Sequence, residues 1–139
     1  MDIALVLGIT TIIGSGLLAQ NERLSLIASN IANADSIATS AANIYRAMEP
    51  VFEAVPSESG SPIDEVQVAG IVQSSAPPKT KYDPGSPLAN AKGYVTMSNV
   101  DPVQQMIDLI SASQSYSDEI AVLDQNTRMN QTMAQSFIA

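Results

Sequence analysis

The side chains of this 139-residue chain that could do chemistry are carboxylates, serines and lysines, because the chain has no histidine and no cysteine. The commonest general base, the thiol nucleophile and the usual zinc ligands are therefore missing. Two acid pairs, Asp64 with Glu65 and Asp118 with Glu119, are sequence neighbours. Neighbouring residues do not share a helix face, so Asp118 and Glu119 are poorly placed for paired acid–base catalysis. We expect no catalytic residue, no metal site and no enzyme.

A glycine motif near the N-terminus suggests a different chemistry, nucleotide binding. Gly14 and Gly16 begin a G-x-G-x-x-A pattern after an apolar run, and Asp35 lies about 20 residues further on. Such glycines bring the backbone close to a pyrophosphate, and the acid holds a ribose hydroxyl. That fold also needs repeated strand–helix units, which the rest of the sequence does not show. We therefore interpret the glycines as loosening a helix, at about 1 kcal/mol each, and expect no cofactor.

The charge pattern argues against nucleic acid as a partner. The formal net charge is −8, and the six cations are scattered along the chain, with Lys79 and Lys81 close together. Binding to phosphates needs clustered lysine and arginine. We expect partners that are proteins.

The apolar stretch 3–18 stands where a signal peptide or membrane anchor would begin. A secretory signal has cations before its apolar run, whereas the first cation here is Arg23, after the run. The stretch is also shorter than the roughly 20 apolar residues that span a bilayer, and glycines interrupt it. We expect neither a cleaved signal peptide nor a direct membrane span.

Both ends of the chain are predicted to be helical, because each carries apolar residues at alternating steps of three and four. This spacing is typical of helices that pack along one another. The N-terminal stripe consists of Ile3, Val6, Thr10, Ile13, Leu17, Gln20, Leu24, Ile27, Ile31 and Ala34, and the C-terminal stripe of Met106, Leu109, Ser113, Tyr116, Ile120, Leu123, Thr127, Asn130, Ala134 and Phe137.

Local signals set the bounds of these helices. Asparagines at 30 and 33 favour an end of the first helix between 30 and 35. Asp101 as the cap, Pro102 in the first turn and Gln104 three residues after the cap predict the start of the second, which runs to 137. Seven prolines between 50 and 87 exclude long helices there, and β-like runs occur at 51–55, 66–73 and 94–97. The polar segment 57–62 is predicted to be a flexible tip.

The predicted fold is mainly α, with long N- and C-terminal helices pairing as a coiled-coil-like bundle around an irregular, β-containing middle insert. We divide the chain into 1–36, 37–100 and 101–139. Two interpretations remain at this point: a small globule that buries both stripes, or an assembly in which neighbouring chains cover the faces that one helix pair leaves open.

Three segments resemble the FlgC family of flagellar proximal-rod proteins, within the wider superfamily of flagellar rod and hook axial proteins. Residues 24–36 read LSLIASNIANADS, residues 82–88 read YDPGSPL before GYV at 93–95, and SNVD at 98–101 leads to SASQSY at 111–116. The first segment is similar to many rod and hook proteins, and the second is more particular to the proximal rod. The resemblance extends over nearly the whole chain.

The resemblance implies a structural subunit of the basal-body rod that polymerises with other rod proteins through its terminal helices, as part of the drive shaft for motility. It also implies export by the flagellar type III system, a place in the periplasmic space, and self-association in the rod. The alternatives are a coiled-coil adaptor outside the flagellum and the nucleotide-binding domain considered above. The predicted subunit-interface residues are Leu17, Leu24, Ile27, Asn30, Ile31, Asn33, Leu109, Tyr116, Ile120 and Leu123.

Overall fold

The computed structural model describes residues 3–56 and 64–138, and two long helices enclose a β-containing middle. The elements are α1 (Ile3–Ala32), β1 (Ile37–Ala38), β2 (Met48–Pro56), β3 (Asp64–Gln73), β4 (Lys79–Tyr82), β5 (Tyr94–Met97) and α2 (Pro102–Ile138). Both helices and the strands predicted at 51–55, 66–73 and 94–97 are confirmed. The predicted tip at 57–62 lies outside the described residues.

The two helices run antiparallel and contact each other along their length. Near the end of α1, Asn30 donates a hydrogen bond to Gln105 of α2. Fourteen residues earlier in α1, Gly16 faces Glu119, which lies fourteen residues later in α2. Near the start of α1, Asn126 donates to Thr10. The pairing register is therefore constant to within one residue over about 20 residues of α1, or about 30 Å at 1.5 Å per residue.

The β2–β3 hairpin packs against α1 on the side that α2 leaves free. It is a two-stranded antiparallel sheet with an irregularity between Val51 and Phe52. Pro50 lies within β2, and it is accommodated because a strand with one neighbour has an edge that needs no N–H donor. A two-stranded hairpin is marginal alone, so its stability depends on contact with α1.

A second sheet has the strand order β1-β5-β4 and ties the middle to both helices. Its central strand holds Val95, which is buried, and the next residues include the buried Ser98 and Val100. The backbone N–H of Ser98 donates to the carbonyl of Ser36, and the ammonium of Lys79 donates to the carbonyl of Val100. The sheet thus links the end of α1 to the start of α2.

The start of α2 follows the prediction in part. The Asp101 carboxylate accepts from the N–H of Val103, and Pro102 is the first helical residue, as expected of a capped helix. Gln104 does not return to the cap: it donates to Asp108 one turn later. The reciprocal capping bond, in which Gln104 would accept from the backbone N–H of Asp101, is not found among the hydrogen bonds of the described residues.

The buried apolar core is small and rich in alanine. It comprises Ala19, Leu26, Ile27, Ala34, Ile44, Ala47, Val95, Val100 and Ala112. Small side chains let backbones approach closely but contribute little apolar area, at about 25 cal/mol per Å² buried. In the part of the chain that the structure describes, neither helix is apolar enough over a sufficient length to cross a membrane.

Candidate assembly interface

The glycine motif does not form a nucleotide site. Gly14 and Gly16 lie in the middle of α1, which continues unbroken from Ile3 to Ala32. A phosphate-binding loop needs free backbone N–H groups at a helix N-terminus, whereas helix-interior N–H groups are bonded within the helix. The nucleotide-binding alternative is therefore wrong, because the motif lies within a helix and not at a strand-to-helix turn.

The predicted stripe residues of α1 lie on its inner side. Ile27 is buried, and Leu17, Leu24 and Ile31 are half-buried. On α2, the half-buried stripe residues are Leu109, Tyr116 and Leu123, and α1 is the element that α2 contacts. These seven side chains therefore pack within the chain.

Ile120 departs from this pattern because it is 45% exposed, while the neighbouring Glu119 takes the inward position. The inward stripe of α2 contains Gln105, Leu109, Ala112, Tyr116, Glu119, Leu123, Asn126, Asn130 and Met133. Every second residue of this observed stripe lies one position before the corresponding residue of the predicted stripe. At 119 the inward position faces Gly16 of α1.

The opposite face of α2 carries four exposed apolar residues in its first turns, which we call the outer α2 patch. Val103, Met106, Ile107 and Ile110 are between 55% and 70% exposed. The sequence did not predict this patch, and it wrongly placed Met106 on the packing stripe, where the structure has Gln105 instead. The signal for the patch was the spacing of 103, 107 and 110, which are four and three residues apart, a second apolar stripe beside the predicted one.

Asn30 is the most connected polar side chain at the helix junction, and it is 1% exposed. Its carbonyl oxygen accepts from the hydroxyl of Tyr45 and from the N–H of Met48, both at 2.9 Å. Its amide donates to the carbonyl of Met48 at 2.8 Å and to Gln105 at 2.9 Å. Burial raises the pKa of Tyr45, which keeps its hydroxyl a donor. Asn30 therefore joins α1, β2 and α2 with all its hydrogen-bonding capacity used.

Two further asparagines hold the same region. Asn33 donates from its side chain to the carbonyl of Ser29 at 2.8 Å, and the same oxygen also accepts from the backbone N–H of Asn33. Asn99 accepts from the N–H of Ala47 at 2.8 Å and donates to the carbonyl of Ala76 at 2.9 Å. Asn30 and Asn33, both predicted as interface residues, make these contacts inside the chain.

Glu119 is an acid at the contact between α1 and α2, where its carboxylate lies beside Gly16. A Cβ added to Gly16 would lie 3.3 to 3.4 Å from its carboxylate, so the glycine provides the space that the acid occupies. One oxygen of Glu119 is buried without a hydrogen-bond partner in the described residues, and so is the side-chain oxygen of Gln20, one turn along α1. Desolvation raises the pKa of Glu119, because burial disfavours the charged form.

We predict that Glu119→Gln stabilises the protein at pH 7 by less than about 1 kcal/mol, because it replaces a partly buried carboxylate whose charged form is disfavoured by desolvation, and solvent screening reduces the effect. A group whose pKa is higher in the folded than in the unfolded state contributes its full stability at a pH below its unfolded-state pKa. This contribution is lost as the pH rises through its folded-state pKa. The advantage of the variant should therefore shrink as the pH falls to about 4. Urea unfolding across this range measures it, and the exposed neighbour Asp118→Asn serves as the matched control. A stability gain for Glu119→Gln that does not change with pH would contradict the raised pKa of Glu119.

The hairpin of β4 and β5 with its connecting turn, residues 79–97, displays an aromatic pair, and we call it the aromatic turn. Tyr82 and Tyr94 are paired across the strands with ring centroids 5.2 Å apart at 63°, an edge-to-face arrangement. They are 63% and 44% exposed. The side-chain oxygen of Asn90 accepts from the backbone N–H groups of Lys92 and Tyr94. The backbone N–H of Asn90 donates to the carbonyl of Tyr94. The turn thus presents the two rings in a fixed geometry.

Gly93 is required in this turn for two reasons. Its φ is +81°, a conformation that favours glycine, and an added Cβ would lie 2.9 Å from the ring of Tyr82. We predict that Gly93→Ala lowers the free energy of unfolding by about 1–3 kcal/mol. Gly85→Ala is the matched control, because its Cβ would meet Asp83 at an ordinary 3.8 Å. Thermal unfolding of both variants checks this, and equal losses would contradict it.

Comparison with known proteins identifies the family. The family model described as flagellar basal body rod FlgEFG protein C-terminal matches residues 91–136. The flagellar basal-body rod proteins FlgC of Escherichia coli O6:H1 and Salmonella typhimurium are each 47% identical over 119 residues, covering 86% of this chain and 88% of the relative. FlgC of Aquifex aeolicus is 38% identical over 122 residues, covering 84% and 83%. The chain belongs to the FlgC family and is a structural subunit of the bacterial flagellar basal-body rod.

Proposed function

We propose that this subunit polymerises with other rod proteins through its helix pair, without enzymatic activity, as part of the drive shaft for motility. The observation that carries the proposal is the outer α2 patch: four apolar side chains are exposed on a helix whose opposite face already packs against α1. Large exposed apolar patches are characteristic of protein–protein contact surfaces.

The α1–α2 pair is proposed to be a coiled-coil-like unit. The inward stripe of α2 repeats at alternating steps of three and four, and the register, constant to within one residue across Asn30–Gln105 and Thr10–Asn126, supports this packing. Polar residues inside such a seam specify register, which is the role we assign to these pairs. In an assembly, each subunit would then present the same rigid helix pair to its neighbours.

The predicted interface residues acquire two roles in this proposal. Leu17, Leu24, Ile27, Ile31, Leu109, Tyr116 and Leu123 shape the helix pair, and Ile120 extends its exposed surface. Asn30 and Asn33 hold the end of α1 in place. We propose that the 1–36 and 101–139 segments form the packing unit, and that 37–100 supplies connecting and outer structure.

Membership of the family supports a proposal for the location and the partners. We propose that the subunit lies in the rod where it crosses the periplasmic space, that the flagellar type III system exports it, and that it contacts other rod subunits, its own copies and adjacent basal-body and export components.

The test is complementation of a strain that lacks the gene for this subunit. We expect the deletion strain to be non-flagellated, and a tagged copy to restore swimming and to co-purify with isolated basal bodies. Restored swimming with the tagged protein absent from basal bodies would overturn the proposal. A deletion strain that retains normal flagella would favour the adaptor alternative outside the flagellum.

A further inference from the structure

An open groove lies between α1 and the β2–β3 hairpin, with a volume of about 1030 Å³. Its apolar lining includes Leu18, Ala19, Val68 and Ile71, and Leu18 is 73% exposed. This is at the upper end of the sizes found for binding pockets. The groove is therefore large enough for bulky side chains from another molecule.

The groove is acidic as well as apolar. Glu22 of α1 and Glu65 of β3 are among its lining residues. The two strands of the hairpin carry four acids in total, Glu49, Glu53, Asp64 and Glu65, and no cation. A partner that fills the groove should therefore combine apolar side chains with positive charge.

The aromatic turn of this same chain has that chemistry. Its residues 79–97 contain Lys79, Lys81 and Lys92 against Asp83 as the one acid, so they are net positive in a chain of net charge −8. Among residues 3–56 and 64–138, neither Lys81 nor Lys92 forms an ion pair. Beside these lysines, Tyr82 and Tyr94 supply exposed aromatic surface, the type enriched at the energetic centres of interfaces.

Charge also favours a second copy as the occupant. Two copies that each have a net charge of −8 repel each other overall. A stable contact between them therefore needs a basic element of one copy against an acidic element of the other, and this chain has both. We propose that the aromatic turn of one subunit docks in the groove between α1 and the β2–β3 hairpin of a second copy. The contact is heterologous, so it can repeat along a polymer. This inference rests on the proposed function and names one contact by which copies associate.

The absence of cysteine from the chain makes a cross-linking test direct. Asn21→Cys places a thiol at the groove, and Ala91→Cys places one in the turn beside Lys92. Both positions are exposed, and neither substitution removes a charged or aromatic side chain. The two full-length variants, one carrying a size tag, are mixed and treated with a short bismaleimide. Val122→Cys, exposed on α2, is the control partner.

We expect the mixed 21–91 product to form at least about tenfold more efficiently than the 21–122 or 91–122 products. Adding Tyr82→Ala to the Ala91→Cys chain should lower the yield about tenfold, and Tyr82→Phe should keep it, because the ring supplies the contact. Equal yields for all pairs, or no effect of Tyr82→Ala, would overturn the contact. Cross-linking of Asn21→Cys in cells to a different rod protein, and not to its own copy, would also overturn it. Swimming complementation by the wild-type chain, measured in parallel, separates failure of this contact from failure of the proposed function.

Discussion

Replacing Asn30 with leucine is expected to lower the free energy of unfolding by about 3 kcal/mol or more. The substitution removes all four hydrogen bonds of the side chain and leaves the N–H and carbonyl of Met48 without their partner. A buried polar group without a partner costs about 1–3 kcal/mol. Urea unfolding followed by circular dichroism measures the loss.

Tyr45→Phe is the matched control for this junction. It removes the single bond from the tyrosine hydroxyl to Asn30 and leaves the other three in place. We expect a loss of about 1 kcal/mol. A loss as large as that of Asn30→Leu would show that the junction does not depend on the asparagine.

Substitution of Ile110 by aspartate in the outer α2 patch is expected to abolish swimming while leaving the fold intact. Ile110 is 70% exposed, so the isolated subunit should lose less than about 1 kcal/mol of stability. In a packed interface the same charge would be desolvated without a partner, at a cost of several kcal/mol. Soft-agar swimming of the complemented deletion strain, with basal-body yield, measures the effect.

Ser117→Asp controls for added negative charge on the exposed side of α2. It introduces the same carboxylate two turns further along, outside the apolar patch, and we expect swimming to be retained. Swimming by the Ile110→Asp strain at the wild-type rate would contradict a role of the patch in assembly. Loss of folding in the purified variant would assign the patch to the stability of the single chain.

The local part of the fold was predictable, because its causes lie within a few residues. The asparagines near 30 and 33 and the pair Asp101–Pro102 gave both helix bounds to within a few residues. The longer strands were visible as β-branched runs. In contrast, β1 has two residues and β4 reads Lys-Thr-Lys-Tyr, so neither has an apolar pattern; pairing with β5 forms them.

The details of the helix pair could not be predicted, because they depend on contacts between distant residues. The partners of Asn30 lie 15 to 75 residues away in sequence. Glu119 faces Gly16, which lies more than 100 residues earlier in the sequence. A heptad count treats each helix separately. It therefore placed Ile120 at the contact between the two helices and assigned no role to Glu119.

The most direct test of the assembly account is thiol accessibility in isolated basal bodies. Ile110→Cys introduces a small apolar thiol in the outer α2 patch, and Ala54→Cys introduces one on the exposed surface of β2. Each variant must first restore swimming, and labelling by a charged maleimide is then compared between the free subunit and the assembled rod. We expect assembly to slow labelling at 110 at least about tenfold while 54 remains reactive, because packed interface cores exclude water. Equal labelling at 110 in the free and the assembled subunit would contradict it.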